Sequence, residues 1–582
     1  MKNILSIILT GLIAVSCVDT ALLPDDKTVD EDFWKTKSDV ALMVNGAYAQ
    51  MLSSDLITRL IVWGDFRSDE LVQSSGVTSG SVYEALLEIA TANTQTDNIY
   101  NNWQTLYTVI NYCNIVIMKA EGVMDEDPSY TKDDFMNDVA QMKTLRSLCY
   151  FYLVRNFRDV PYTTVGYMQN SQEMSIPQAA PDSILAGCIA DLEEASQYIL
   201  DPTAYSNWKA KGWLNRDAVY SLLADIYLWR GSVHHSASDY QKCVEYCDLV
   251  INSKNNAHIY GPMEIVDETN LYPALAKYEE DYEDIFITQN SEESIFELQY
   301  DGSNNSNLAL CQMYYKYGGN SANFGYMKAS SIFGTAGTSN LVFPKVGDGR
   351  KVKFIFAANT DLDQYDIRKM IVNTNTLGNY SSTIDPGQSR QTDRAYAQFD
   401  QDYIIYRMTD VMLMKAEAMV QLASSDEDVI LREAFNIVKA VNDRALVSTY
   451  LASDSLKFAS SASIQGTAIN SKTGMEELVL EERLRELCFE GKRWYDLLRY
   501  NYRHVEGVDY GTILADQDVF VANYNNMLSL MARKSSSPQG IISKMPTEPY
   551  LYMPIREKEL TVNPMLKQNP VYSSSDNWEK NV

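Results

Sequence analysis

After residue 15 the chain has no apolar run long enough to cross a bilayer as a helix, which takes about 20 residues. Positive charge is also scarce, with 49 Lys and Arg against 77 Asp and Glu, a net charge of −28 and a pI near 4.6. Nucleic-acid binding needs a basic face, so that class of partner is excluded. The acid is spread along the chain and gives a solvated, self-repelling surface. Histidine is nearly missing: His234, His235, His258 and His504 form no His-x-x-x-His or His-Glu pair, so zinc chemistry has no scaffold. No Gly-x-Ser-x-Gly elbow and no phosphate loop occurs. Asp125 and Asp127 begin an acidic turn, but Pro128 follows and no closing Glu completes a calcium loop. Nothing in these patterns asks for a metal or a cofactor. Eight cysteines in 582 residues do not make a disulfide framework. Cys243 and Cys247, four apart with no second pair nearby, are expected as small apolar residues at a helix–helix contact.

What is present begins at the N-terminus. Lys2 precedes an uncharged, largely apolar run from Ile4 to Val15 that ends in Ala14-Val15-Ser16-Cys17. A charged start, a short apolar middle and small residues before the break make an export signal. Cys17 directly after them resembles a bacterial lipobox, with Ala14 where Leu is commonest. That resemblance implies cleavage after residue 16 and acylation of Cys17, so the only membrane contact is a lipid anchor. Residues 17–32, polar or acidic with Pro24, read as a tether, and 33–582 as a single domain.

Helical periodicity dominates that domain. Trp103, Leu106, Tyr107, Ile110, Asn114, Ile117 and Met118 repeat at three and four, as do Phe135, Val139, Met142, Leu145, Cys149, Tyr152 and Leu153. Further amphipathic stretches cover about 36–52, 182–199, 215–230, 238–252, 409–423, 428–445 and 476–499. Strand signals are few: Ser294 to Tyr300 and Tyr550 to Ile555. In the pair 215–230 and 238–252, small residues (Ala218, Ala224, Cys243, Cys247) are set against Tyr220, Tyr227, Tyr240 and Tyr246. Small opposite large is how tetratricopeptide-like helix pairs approach, although the strict 34-residue period is absent. The expected fold is mainly α: a tetratricopeptide-like scaffold of helical pairs over about 36–252 and 403–500, with a few short strands. A long irregular insertion, rich in Gly, Asn, Ser and Tyr, fills about 255–400 and is expected to face the ligand.

Several segments spell out a family. Phe33-Trp34, Ala41 and Asn45-Gly46-Ala47-Tyr48 resemble the opening of the SusD/RagB family of Bacteroidetes outer-membrane lipoproteins. Leu145-Arg146, Tyr150 to Val154 and Arg158-Asp159-Val160-Pro161-Tyr162 continue the likeness, as do Ser294 to Tyr300, Tyr406 to Ala418 and Val441 to Ala445. The most specific segment runs from Glu481 to Arg499, and the chain closes with Pro554-Ile555, Glu559-Leu560, Asn563-Pro564 and Gln568-Asn569-Pro570. Where the family often has Gly before Asp-Val-Pro, this chain has Arg158, expected to alter only a loop. The resemblance implies a surface-exposed outer-membrane lipoprotein that catalyses nothing. It would sit on a SusC-like TonB-dependent transporter and pass it an oligosaccharide, or, as in the RagB-like alternative, a peptide.

Within the segment 481–499, Glu482, Glu486 and Glu490 are expected on one helical face beside Arg485, Arg493 and Asp496. Carboxylates beside a Trp suit a glycoside hydrolase only if one stays protonated, and arginines at helical spacing keep them ionised. The cluster therefore reads as a structural ion-pair network. Ligand binding is signalled elsewhere, by 39 Tyr against 17 Phe. Hydroxylated rings stack on the C–H faces of sugars while amides and carboxylates meet the hydroxyl rim. The candidate ligand residues are Trp63, Asp69 and Tyr83 in an N-terminal loop, Tyr282 in an acidic stretch, and Tyr314, Tyr317 and Tyr326 in the insertion.

Overall fold

The computed structural model describes residues 33–573, apart from 75–77, 170, 207, 257–264, 268–269, 272–281, 315–324, 335–341, 346, 358–364, 377–389, 394–397, 447–449, 465, 521–524, 535–540, 542 and 544–546. Cys17, the signal and the tether lie outside the described residues, as does Tyr317.

The scaffold helices in chain order are α1 (Lys37–Met51), α2 (Ser54–Ile61), α3 (Ser81–Ala90), α4 (Gln104–Glu126), α5 (Lys132–Phe157), α6 (Pro181–Tyr198), α7 (Arg216–His234) and α8 (Ala237–Asn256). After the insertion, which contributes α9 (Leu308–Tyr314), come α10 (Met408–Leu422), α11 (Val429–Arg444), α12 (Lys472–Leu487), α13 (Arg493–Tyr502) and α14 (Asn525–Ala532). Local chemistry sets their starts. Thr36 and Asp39 form a reciprocal capping box at α1, and Thr131 and Asp134 another at α5. Asn215, Asp428 and Ser471 cap α7, α11 and α12 with a side-chain oxygen. Neighbours pack as pairs: α4 on α5, α5 on α6, α7 on α8, α8 on α10, α10 on α11. Cys243 and Cys247 are fully buried on α8, where the Cys243 thiol lies 3.9 Å from the Met414 carbonyl of α10. One hydrophobic cluster runs from Val40 to Leu566. No helix among the described residues is long and apolar enough to cross a membrane.

Strands are short and paired in twos; those that bear on the site are β1 (Leu71–Gln73), β2 (Ser294–Leu298), β3 (Met327–Ala329), β4 (Tyr403–Arg407) and a hairpin of β5 (Ser463–Ile464) and β6 (Thr467–Ala468). β2 pairs antiparallel with β4, Tyr403 opposite Leu298 and Arg407 opposite Ser294.

Three expectations need correction. Tyr550 to Ile555 is not a strand: Glu548–Leu551 is a 3-10 turn, and the Met553 N–H donates to the Asn156 carbonyl at 2.8 Å. Pro549 and Pro554 bracket the segment and supply no N–H to a ladder. The helix expected over 476–499 is broken between Leu487 and Arg493, with Phe489 at φ 66° and Gly491 at φ 73°. Glu490 therefore lies in the break and not on a face with Glu482 and Glu486. Finally, Arg158 does more than alter a loop. It ends α5 at φ 65°, and its buried guanidinium binds Glu548 at 2.9 Å, Asp159 at 2.8 Å and the Thr512 carbonyl at 2.9 Å.

Candidate functional site

The two Tyr-bearing segments singled out in the sequence, near 63–83 and 301–326, are joined by backbone pairing. β1 and β3 are antiparallel, with Leu71 opposite Ala329, Val72 opposite Lys328 and Gln73 opposite Met327. The ladder continues outward, since Ser74 N–H donates to the Tyr326 carbonyl at 2.9 Å. The Gln73 amide donates to the Tyr83 carbonyl at 2.7 Å, which fixes the start of α3 beside the same edge. Tyr83 and Tyr326 are both half-buried, Tyr326 packing partly against the hydrophobic core.

Among the described residues, the remaining candidates Trp63, Asp69, Tyr282 and Tyr314 lie inside the fold. Trp63 is buried, its indole N–H donating to the Tyr100 carbonyl at 2.9 Å and its ring edge-on to Phe157. Asp69 is buried between Arg493 and Arg533. Tyr314 donates to Asp65 and Tyr282 to Glu486, each at 2.9 Å and each buried. Their polar atoms already have protein partners, so they brace the fold.

Asp65 belongs to a one-turn π-helix, Val62–Phe66, and accepts from the Gly491 N–H on both oxygens at 2.9 Å. That approach needs two glycines, because a Cβ on Gly64 would lie 2.2 Å from the Gly491 carbonyl oxygen. Burial pushes the Asp65 carboxyl up to about 7 despite those donors, and burial beside Asp65 raises its neighbour Glu70 as well.

Around α12 the charges interlock. Arg350 donates to Glu482 at 2.7 Å, to Glu486 at 3.0 Å, and forks onto Asp348 at 3.0 and 2.7 Å. Arg407 reaches Glu293 at 2.7 Å, Glu486 at 2.9 Å and Glu490 at 2.8 Å, and Arg444 closes on Glu293 and Glu486. Arg485 donates to Glu482 at 2.8 Å, Arg493 grips Asp69 at 2.8 and 3.1 Å, and Asp496 receives Arg483 at 3.0 Å and Arg499 at 2.7 Å. Burial opposes ionisation of Glu486, but Arg444, Arg407, Arg350 and Lys369 outweigh it and hold its carboxyl below the usual range. Glu482 is likewise lowered, burial being overcome by Arg350 and Arg485. These acids stay charged and cannot donate a proton at neutral pH.

A recess of about 420 Å³ opens beside this network. Lys345, Asn442 and Arg533 line it together with Arg485. Sequence reasoning passed over the first three because they lie on separate segments with no shared spacing.

A family model described as "SusD family" matches residues 362–572, and one described as "Starch-binding associating with outer membrane" matches residues 23–228. The chain belongs to the SusD/RagB family. SusD-like protein P38 of Formosa agariphila is 24% identical over 531 residues, covering 86% of this chain and 92% of its own. Solved structures share the fold. A SusD homolog from Bacteroides thetaiotaomicron superposes with a TM-score of 0.67 at 17% identity, covering 92% of this chain and 97% of that one. B. fragilis NanU gives 0.64 at 18% identity, with 95% and 100% covered. The mainly helical, tetratricopeptide-like scaffold is thus the SusD one.

Proposed function

We propose that this SusD/RagB-family chain is a surface-exposed outer-membrane lipoprotein, anchored through Cys17, that captures an oligosaccharide and hands it intact to a SusC-like TonB-dependent transporter. The observation that carries the reading is the β1–β3 ladder. It brings Tyr83 and Tyr326, from segments more than 200 residues apart, to one edge, each residue half-buried. Rings set on a paired backbone are held before ligand arrives, which lowers the ordering cost of binding. The description of the matching N-terminal family model, with its starch binding and outer-membrane association, supports the same reading. The ionised state of Glu482 and Glu486 removes that pair as the protonated acid a hydrolase needs.

The test is a glycan screen on the purified exported chain, with product analysis alongside. Saturable binding without turnover is expected, and Tyr83→Ala and Tyr326→Ala each weaken it about tenfold or more, roughly 1.4 kcal/mol. Released sugar would overturn the reading in favour of a hydrolase. Peptide binding with no glycan bound would overturn it in favour of peptide capture.

A further inference from the structure

The recess beside α12 has its own chemistry, although Arg533 on its wall pairs with Asp69, two residues before β1. Its walls come from the segment before Arg350, the end of α11, the β5–β6 hairpin, α12 and the residue just past α14. Leu456, Ile464, Ile469 and Leu478 make much of the lining apolar. A volume of about 420 Å³ falls in the range of small-molecule sites.

Three cations, Lys345, Arg485 and Arg533, line it against two acids, Asp348 and Glu481. Asp348 is occupied by the Arg350 fork, and Arg533 is shared between Asp69 at 2.6 Å and Glu481 at 3.5 Å. Arg485 and Lys345 are different. Arg485 spends its Nε on Glu482, and its two terminal nitrogens have no acceptor among the described residues, although the residue is only 7% exposed. Lys345 makes no ion pair among the described residues, and its ammonium donates to the neutral Asn442 Oδ1 at 2.9 Å. The two cations are close enough to feel each other. Burial lowers the Lys345 ammonium below its usual range, Glu482 pulls it back, and the like charge of Arg485 pushes it down further. Cations with spare donors beside an apolar wall are ready partners for an anion.

Resting on the glycan-capture reading, we propose that this recess binds the anionic group, carboxylate or sulfate, of an acidic saccharide. The terminal nitrogens of Arg485 present a fork to the anion and Lys345 adds a point charge. The aliphatic wall takes the C–H face of the sugar. A neutral saccharide leaves the same donors unmatched, so the site discriminates by what it leaves unpaired. Since the chain as a whole carries −28, attraction of an anion must come from this local pairing and not from the long-range field.

The experiment measures affinities of the full exported chain for one panel of neutral, uronate-bearing and sulfated oligosaccharides. Anionic members are expected to bind at least tenfold tighter than neutral ones of equal length. Whether the uronate or the sulfated arm gains identifies the anion. Lys345→Gln, at a half-buried position, removes that gain and leaves neutral affinities in place. Arg485→Gln does the same and Arg485→Lys keeps part of the gain, with melting curves showing that each variant is folded. Neutral members bound with no gain for anionic ones would overturn the subsite and leave glycan capture standing, as would an anionic gain unchanged in both Gln variants. Failure of the whole panel to bind would overturn both.

Discussion

Arg158 and Glu548 meet fully buried, guanidinium Nε to carboxylate Oε1 at 2.9 Å, although 390 positions separate them in the chain. The pair pins the end of α5 to the C-terminal segment. Burial raises the Glu548 carboxyl and Arg158 works against that, so the acid depends on its one guanidinium partner for its charge. Arg158→Gly relieves about 1–2 kcal/mol of strain at positive φ. It also strands Glu548, at about 3–5 kcal/mol. A net loss of about 2–3 kcal/mol is expected from the urea midpoint; a gain would show that strain, not pairing, governs this position.

Two sets of carboxyls set opposite pH slopes. Asp65 is raised to about 7 in the folded chain, against about 4 when unfolded. Between those values the unfolded chain has released a proton that the native chain retains, so this group's contribution is full at low pH and is lost as pH rises toward 7. Asp65→Asn should flatten the fall in stability across that window. Glu482 and Glu486 act the other way: lowered when folded, they stabilise above their unfolded values and lose that contribution as pH falls below about 4.5. Denaturation midpoints from pH 3 to 8 check both, and an Asp65→Asn slope identical to the parent's would refute the first.

Gly64 faces the Gly491 backbone with no room for a methyl group. Gly64→Ala must push the π-turn from the break between α12 and α13, lengthening the two contacts from Gly491 N–H to Asp65. Overpacking of this kind costs about 1–3 kcal/mol. Thermal melting gives the number, and an unchanged midpoint would mean that the two segments separate freely.

Tyr314 separates scaffold from ligand contact. Its hydroxyl is committed to Asp65 and its ring packs against Phe489. Tyr314→Phe should lose about 0.5–1.5 kcal/mol of stability, as for an ordinary intramolecular hydrogen bond. Saccharide affinity should stay within twofold of the parent's. A tenfold loss would return Tyr314 to the ligand site.

The helices were legible because their causes are local. The three-and-four repeat of Leu145, Cys149 and Tyr152 and the box of Thr131 with Asp134 lie within a few turns of one another, so α5 can be read from its own residues. The arginine-rich segment was legible as an ion network for the same reason, since Arg485 and Glu482 are one turn apart.

The site was only half legible. Composition pointed to the segments holding Tyr83 and Tyr326, but nothing in them says which aromatic faces outward. Tyr314 and Tyr326 belong to the same Tyr-rich stretch, yet Asp65 draws the first inward and the β1–β3 ladder leaves the second part-exposed.

The sequence by itself settled the helical scaffold and the family, because periodicity, caps and motif order are written in short runs of residues. Only tertiary structure decided that Trp63, Asp69, Tyr282 and Tyr314 are internal braces, that Arg158 anchors the C-terminal segment, and that Lys345 and Arg485 share a recess. Whether a loop side chain is buried depends on the partner that packs against it from hundreds of residues away, and chain order carries no record of that distance.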